Sequence, residues 1–150
     1  MRDILDIASA IKKIYEAVFA PDGESSDLTE LKMHKLLYFA QRRHYEHFGE
    51  WLFNDDFEGW VHGPVNRRVR TSFMYLGDQE VELTLEEEYT LREVIYEYGR
   101  YSAGYLRNLS HNDNAYRISR EGLNDNELGK RVILKEHIIE DIPVFDDSEV

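Results

Sequence analysis

Eight apolar residues near the start of the chain, Ile4, Ile7, Ala8, Ile11, Ile14, Tyr15, Val18 and Phe19, recur at steps of three and four. On a helix turning about 100° per residue, such steps stack on one side, so this stretch must lie as an amphipathic helix against a core. Pro21 and Gly23 end it. A chain of 150 residues has the length for one such core, burying roughly two-thirds of its unfolded surface. A hydrophobic fraction of 42%, with 7 Phe, 2 Trp and 10 Tyr, supplies that core and separates the chain from the aromatic-poor disordered class.

The same period returns downstream. Asp27 is placed to cap a second helix, on which Met33, Leu36, Leu37, Ala40 and His44 form one face and Lys32, Lys35, Arg42 and Arg43 a basic opposite face, with Gly49 as the stop. Trp51–Phe53 and Phe57–His62, separated by Asn54-Asp55-Asp56, read as a small β-hairpin. Gly63-Pro64 then punctuates the chain and is suited to start a third helix, with Val65, Val69, Phe73 and Leu76 as its stripe. Thr84 and Glu87 have capping-box spacing ahead of Leu91, Val94, Ile95 and Tyr98. Ser102 can cap a short helix running to Leu109, Arg131–Leu134 can be a strand, and Lys135–Ile142 a last helix before Pro143. The expected architecture is a mainly α, compact single-domain helical fold with a small β-hairpin or short β element, over residues 1–145. Residues 146–150 read as an acidic, frayed tail.

Charge and composition then remove whole classes of function. Cysteine is absent, which excludes disulfide frameworks, thiolate nucleophiles and zinc–cysteine sites. A formal charge of −12 repels phosphate backbones and disfavours nucleic acid as a partner. No apolar run is long enough for a membrane span and no secretion signal opens the chain, so a cytoplasmic protein is expected. The charge is segregated: Asp78–Glu97 holds eight acids against Arg92, whereas Lys32–Arg43 holds four bases and no acid. Such segregation accompanies solvated faces or internal pairing, and also the steering of a charged partner.

Three stretches, in order, resemble the SocA-like antitoxin family, whose shared domain is called Panacea and which includes phage-associated GepA-like proteins. The first is Leu31-Lys32-Met33-His34-Lys35-Leu36-Leu37-Tyr38-Phe39-Ala40-Gln41, with His34 where glutamine is usual; the second is Trp60-Val61-His62-Gly63-Pro64-Val65. The third runs from Tyr101 to His111, followed by Ala115-Tyr116 where the family tends to have proline and tryptophan. With a weaker match at Val132–Ile139, the likeness spans roughly residues 3 to 140. It implies an antitoxin of a toxin–antitoxin module that neutralises a cognate protein toxin by direct protein–protein binding, without catalysis and without a cofactor. An adaptor delivering the toxin to a cytoplasmic protease is the alternative that the resemblance leaves open; a metal-dependent hydrolase and a DNA-binding autorepressor rank lower.

The residues expected to meet the toxin are Lys35, Tyr38, Arg42, Trp60, His62, Gly63, Pro64, Arg67, Ser110 and His111. Each also has a purely structural reading. Lys35, Tyr38 and Arg42 form a basic and aromatic strip that can meet a partner or pair with acidic Glu86–Glu88. Gly63 and Pro64 suffice as a turn and helix start, and Trp60 suits the core better than an exposed anchor. His44 and His47 offer two ligands of the three a catalytic zinc needs, with His111 as a candidate third in space, and a semi-buried histidine on the core face explains His44 more simply. Ser110-His111 is not a nucleophile–base pair, because adjacent residues do not place the base on the nucleophile. No metal site and no catalytic residue is assigned.

Overall fold

The computed structural model describes residues 2–23, 26–77 and 79–143. The N-terminal apolar period forms α1 (Ile4–Phe19). Asp3 caps it, accepting from the Leu5 N–H at 2.8 Å and so satisfying a donor that the first turn cannot. Next comes α2 (Glu30–Phe48). Its cap is Thr29 and not Asp27: Thr29 Oγ accepts from the Lys32 N–H at 3.2 Å, while the Asp27 carboxylate takes the Tyr15 hydroxyl.

The β element differs from the expected hairpin. Strands β1 (Phe57–Trp60) and β2 (Gly63–Val65) are antiparallel, with Trp60 opposite Gly63 across the two-residue turn Val61-His62. Trp51–Phe53 is not a strand of this sheet, for a definite reason. Gln41 Oε1 accepts from the N–H groups of Leu52 and Phe53 at 2.9 and 3.3 Å, and Gln41 Nε2 donates to the Phe53 carbonyl at 2.8 Å. A buried side chain thus takes the backbone groups that a ladder would have used. Pro64 likewise does not start a helix. It sits in β2, an edge strand, where its missing N–H is tolerated. Asn66 caps α3 (Arg67–Ser72) instead, its Oδ1 accepting from the Val69 N–H at 3.0 Å, and a 3-10 turn over Phe73–Tyr75 follows.

The capping box opens α4 (Leu85–Tyr98) as its spacing implies. The Thr84 N–H donates to Glu87 Oε1 at 2.8 Å, and the Glu87 N–H donates to Thr84 Oγ at 3.2 Å. Ser102 caps α5 (Ala103–His111) through the Tyr105 N–H at 3.1 Å. A short helix not foreseen, α6 (Asn114–Ser119), closes over β1 so tightly that a Cβ on Gly59 would stand 1.9 Å from Ser119 Oγ. Only glycine fits there. Strand β3 (Val132–Ile133) pairs antiparallel with β1, giving the order β2-β1-β3, and α7 (Lys135–Asp141) follows. Among the described residues the fold is thus seven α-helices and one small antiparallel sheet. The acidic tail of residues 146–150 lies outside the described residues.

At the centre of this arrangement stands α2. It packs against α1, α3, α4, α5, α7 and β2, and every residue from Lys32 to Gln41 is buried. Ten successive buried positions span nearly three turns, so that part of the helix presents no solvent face. Met33, Leu36 and Leu37 are fully buried against Ile7 and Ile11 of α1 and Leu91, Val94 and Ile95 of α4 in one core cluster. Burial of each such side chain contributes about 1.5–3 kcal/mol.

Candidate binding site

The enclosure of α2 corrects the expected basic strip. Lys35 and Tyr38 are each 1% exposed, so neither can be a surface contact. The Lys32 ammonium is also inside, but satisfied: it donates to the Tyr15 hydroxyl at 2.6 Å and to the Gly99 carbonyl at 2.5 Å. Burial pushes the Tyr38 phenol well above its ordinary pKa, with Asp113 and Asp141 adding to the effect. Arg42 is half-buried and already engaged. Its Nη1 donates to both Asp113 oxygens at 2.9 and 3.0 Å and its Nη2 to the Asp141 carbonyl at 3.1 Å, tying α2 to α6 and α7. The Asp113 carboxyl is raised by burial against the pull of Arg42. Pairing with α4 falls to the neighbouring Arg43, which meets Glu93 and, at 2.6 Å, Glu97.

Around the sheet turn the residues are more accessible. His62 is exposed, and Trp60 is half-buried, neither core nor free anchor. Its indole N–H donates to Glu58 at 3.0 Å, and the guanidinium groups of Arg70 and Arg67 lie 5.1 and 6.0 Å from its ring centroid. Exposed Arg67 also binds Glu58 at 2.7 Å. Tyr116 pins the turn from beneath by donating its hydroxyl to the Trp60 carbonyl at 2.5 Å. Gly63 and Pro64 are buried. Gly63 has φ +108°, and a Cβ there would approach Lys35 Cε to 2.7 Å, and Lys35 Nζ and Ser110 Oγ to 3.0 Å each. The backbone turn is therefore laid directly on the Lys35 side chain.

Lys35, Gly63 and Ser110, chosen from three separate stretches, thus meet in space. Ser110 is fully buried and donates to the Arg107 carbonyl at 2.8 Å. His111 stacks on Tyr116 with ring centroids 4.5 Å apart. Burial, then the charges of Arg107, Lys35, Arg120 and His62, push the His111 imidazole down to about 4. Burial and Arg107 hold the Lys35 amine down to about 8. Arg107 was not among the expected site residues. Its position three before Ser110 and four before His111, on the same side of α5, is the signal that points to it.

Among the described residues no group of three His, Asp or Glu side chains is arranged to hold a metal ion. His44 is buried and shares a hydrogen with Thr90 at 2.8 Å, and His47 donates to Glu93 at 3.1 Å. No helix among them is long and apolar enough to cross a membrane. One further surface stands out. The outward side of α4 carries Leu85, Tyr89, Arg92 and Tyr96 within an arc of about 60°. Leu85 is 85% exposed, and Tyr89 and Tyr96 more than half. Glu93, Glu86 and Glu97 border this stripe on one side and Glu88 on the other.

A family model described as antitoxin SocA-like, Panacea domain, matches residues 33–116, which is more than half of the chain. The chain belongs to the SocA-like antitoxin family. The matched stretch runs from α2 to Tyr116 in α6, and the Gly63-Pro64 turn, the α4 stripe and the α5 cluster lie inside it. Membership gives this SocA-like domain an antitoxin role, with a toxin as its partner in general terms. No curated protein matches the chain, and no solved structure matches it.

Proposed function

We propose that this SocA-like protein neutralises a cognate protein toxin in the cytoplasm by direct contact, without catalysis, and that the outward side of α4 is the principal contact surface. The observation that carries this reading is the Leu85–Tyr89–Tyr96 stripe, left uncovered by the fold although α4 buries a full opposite face through Leu91, Val94 and Ile95. Exposed tyrosine and leucine bordered by carboxylates fit a partner with an apolar patch ringed by lysine or arginine. The net charge of −12 favours the approach of such a basic partner. Trp60, His62 and Arg67, half-buried or exposed around the sheet turn, form a second, smaller contact region.

The toxin to use is the product of a small adjacent reading frame that arrests growth when expressed alone. Tyr89→Ala with Tyr96→Ala removes two anchors, each worth about 2 kcal/mol at a true interface, so affinity should fall at least thirtyfold and rescue of growth should fail. Circular dichroism of the variant should match the parent, because both residues are more than half exposed and neither belongs to the core cluster. A folded double variant that binds and rescues like the parent would refute the α4 surface. Toxin held in a stable stoichiometric complex supports neutralisation by contact, whereas loss of toxin only when a cytoplasmic protease is present would establish delivery to proteolysis instead.

A further inference from the structure

Beneath the sheet turn the structure holds an accumulation of positive charge that the proposed contact surface on α4 does not use. Lys35 is 1% exposed, and its ammonium has no hydrogen-bond partner. Arg107 Nε and His111 Nε2 are buried and unpartnered too. Among the described residues no ion pair involves Lys35, Arg107, Arg117 or Arg120, although the chain has 30 acids for 18 bases. The nearest acid on α2, Glu30, is already committed to His34 at 3.0 Å and Arg70 at 3.4 Å. A buried cation without a counter-charge costs several kcal/mol, so an acid-rich chain that leaves Lys35 unpaired retains it at the expense of its own stability.

The unpaired groups border open space. A pocket of about 220 Å³ is lined by Leu31, Lys35, His62, Ala103, Gly104 and Arg107. Ala103 and Gly104 are the first residues of the nine-residue helix α5, whose leading N–H groups have no partner within the helix and whose positive end adds to the field there. Arg107 is shared with a neighbouring pocket of about 320 Å³, lined also by His111, Arg117 and Arg120 and by one acid, Asp125. Gly63, lacking a Cβ, leaves Lys35 Nζ room beside the first pocket.

We infer that Lys35, Arg107 and His62, with the start of α5, form a binding site for the phosphate group of a small molecule, whose remaining atoms extend past Arg107 into the second pocket. A phosphate monoester carries about −1.5 to −2 at neutral pH and three acceptor oxygens, which matches one buried ammonium plus one guanidinium better than a singly charged carboxylate does. Burial first, and then the neighbouring positive charges, lower the pKa values of Lys35 and His111, and a bound anion would offset the charge repulsion.

The test is calorimetric titration of the full chain at constant ionic strength with inorganic phosphate, adenosine monophosphate and acetate. Inorganic phosphate should bind with a Kd in the millimolar range, the nucleotide at least tenfold tighter, and acetate at least tenfold weaker than phosphate. Lys35→Met, which keeps the buried volume, and Arg107→Gln, on a partly exposed side chain, should each weaken phosphate at least tenfold. Thermal melts establish that the variants are folded. Absence of phosphate binding to the parent overturns the proposal, as does binding that survives in either folded variant, and an equal response to acetate overturns the choice of phosphate.

Discussion

Lowering the pH should act on this fold through His34, the fully buried histidine that stands where the family resemblance places glutamine. Its Nδ1 accepts from the Asn66 N–H at 3.3 Å and its Nε2 donates to Glu30 at 3.0 Å, so the hydrogen-bond network assigns the neutral Nε2–H form. Protonating Nδ1 would set two donors against each other beneath the α3 cap. Burial accordingly lowers the His34 pKa from 6.5 to about 4, opposed by the Glu30 bond and reinforced by the charges of Lys35 and Arg70. The folded value lies below the unfolded one, so as pH falls through 6.5 the unfolded chain takes up this proton first and stability drops until about pH 4. Between pH 7 and pH 5 the loss from His34 is about 2 kcal/mol, or about 4–8 °C in Tm for a domain of this size. His34→Gln supplies an acceptor for Asn66 and a donor for Glu30 with nothing to titrate. It should match the parent at pH 7 within about 1 kcal/mol and recover that loss at pH 5. Urea unfolding of both proteins at half-unit steps from pH 7.5 to 4.5 measures the difference, in which the other histidines cancel. Parallel stability curves for parent and variant would falsify the assignment of acid sensitivity to His34.

Three further outcomes follow from groups described above. Gln41→Leu should cost about 3 kcal/mol or more in urea unfolding, because it strands the Leu52 and Phe53 N–H groups and the Phe53 carbonyl inside the protein; a cost under about 1 kcal/mol would contradict the bracing role. Arg42→Glu should lose about 2 kcal/mol or more of stability by placing a carboxylate against Asp113, so melting curves should fall before any binding is measured, and an unchanged Tm would contradict the ion pair. Lys35→Met should raise stability at pH 7 by about 1–3 kcal/mol. The parent alone should gain stability as pH climbs from about 8 to 10.5, where its unfolded chain still holds the lysine proton and its folded state has released it; equal pH slopes would refute this.

The helices with complete local signals were legible in the sequence. The apolar period specifies α1, Thr84 and Glu87 declare the start of α4, and Ser102 declares that of α5. The elements that depart from their local signals depend on partners elsewhere in the chain. Trp51–Phe53 has the composition of a strand, but Gln41, about two helical turns and a short loop earlier, occupies its backbone groups. Lys32 and Lys35 resemble a solvated basic face because lysine is ordinarily at the surface, and only the packing of five helices and β2 around α2 reveals otherwise. The six-residue helix α6 is too short for any apolar period to register. Of the candidate site, Lys35, Gly63 and Ser110 come from the three stretches of the resemblance, but nothing along the chain declares that they touch one another. Their burial emerges only once α5 is laid beside the sheet turn, whereas Arg107 is signalled by its helical spacing to Ser110 and His111.

The enclosure of α2 also divides labour within the domain. A mast gripped on every side has almost no freedom to vary, since each side chain from Lys32 to Gln41 answers to several neighbours at once. If the proposed contact surface is right, recognition of different partners is written on the outer sleeve, where Leu85, Tyr89 and Tyr96 are each largely exposed on α4. Exchanging that outer lettering while leaving the mast intact is the route by which one such scaffold can be re-addressed to a new toxin.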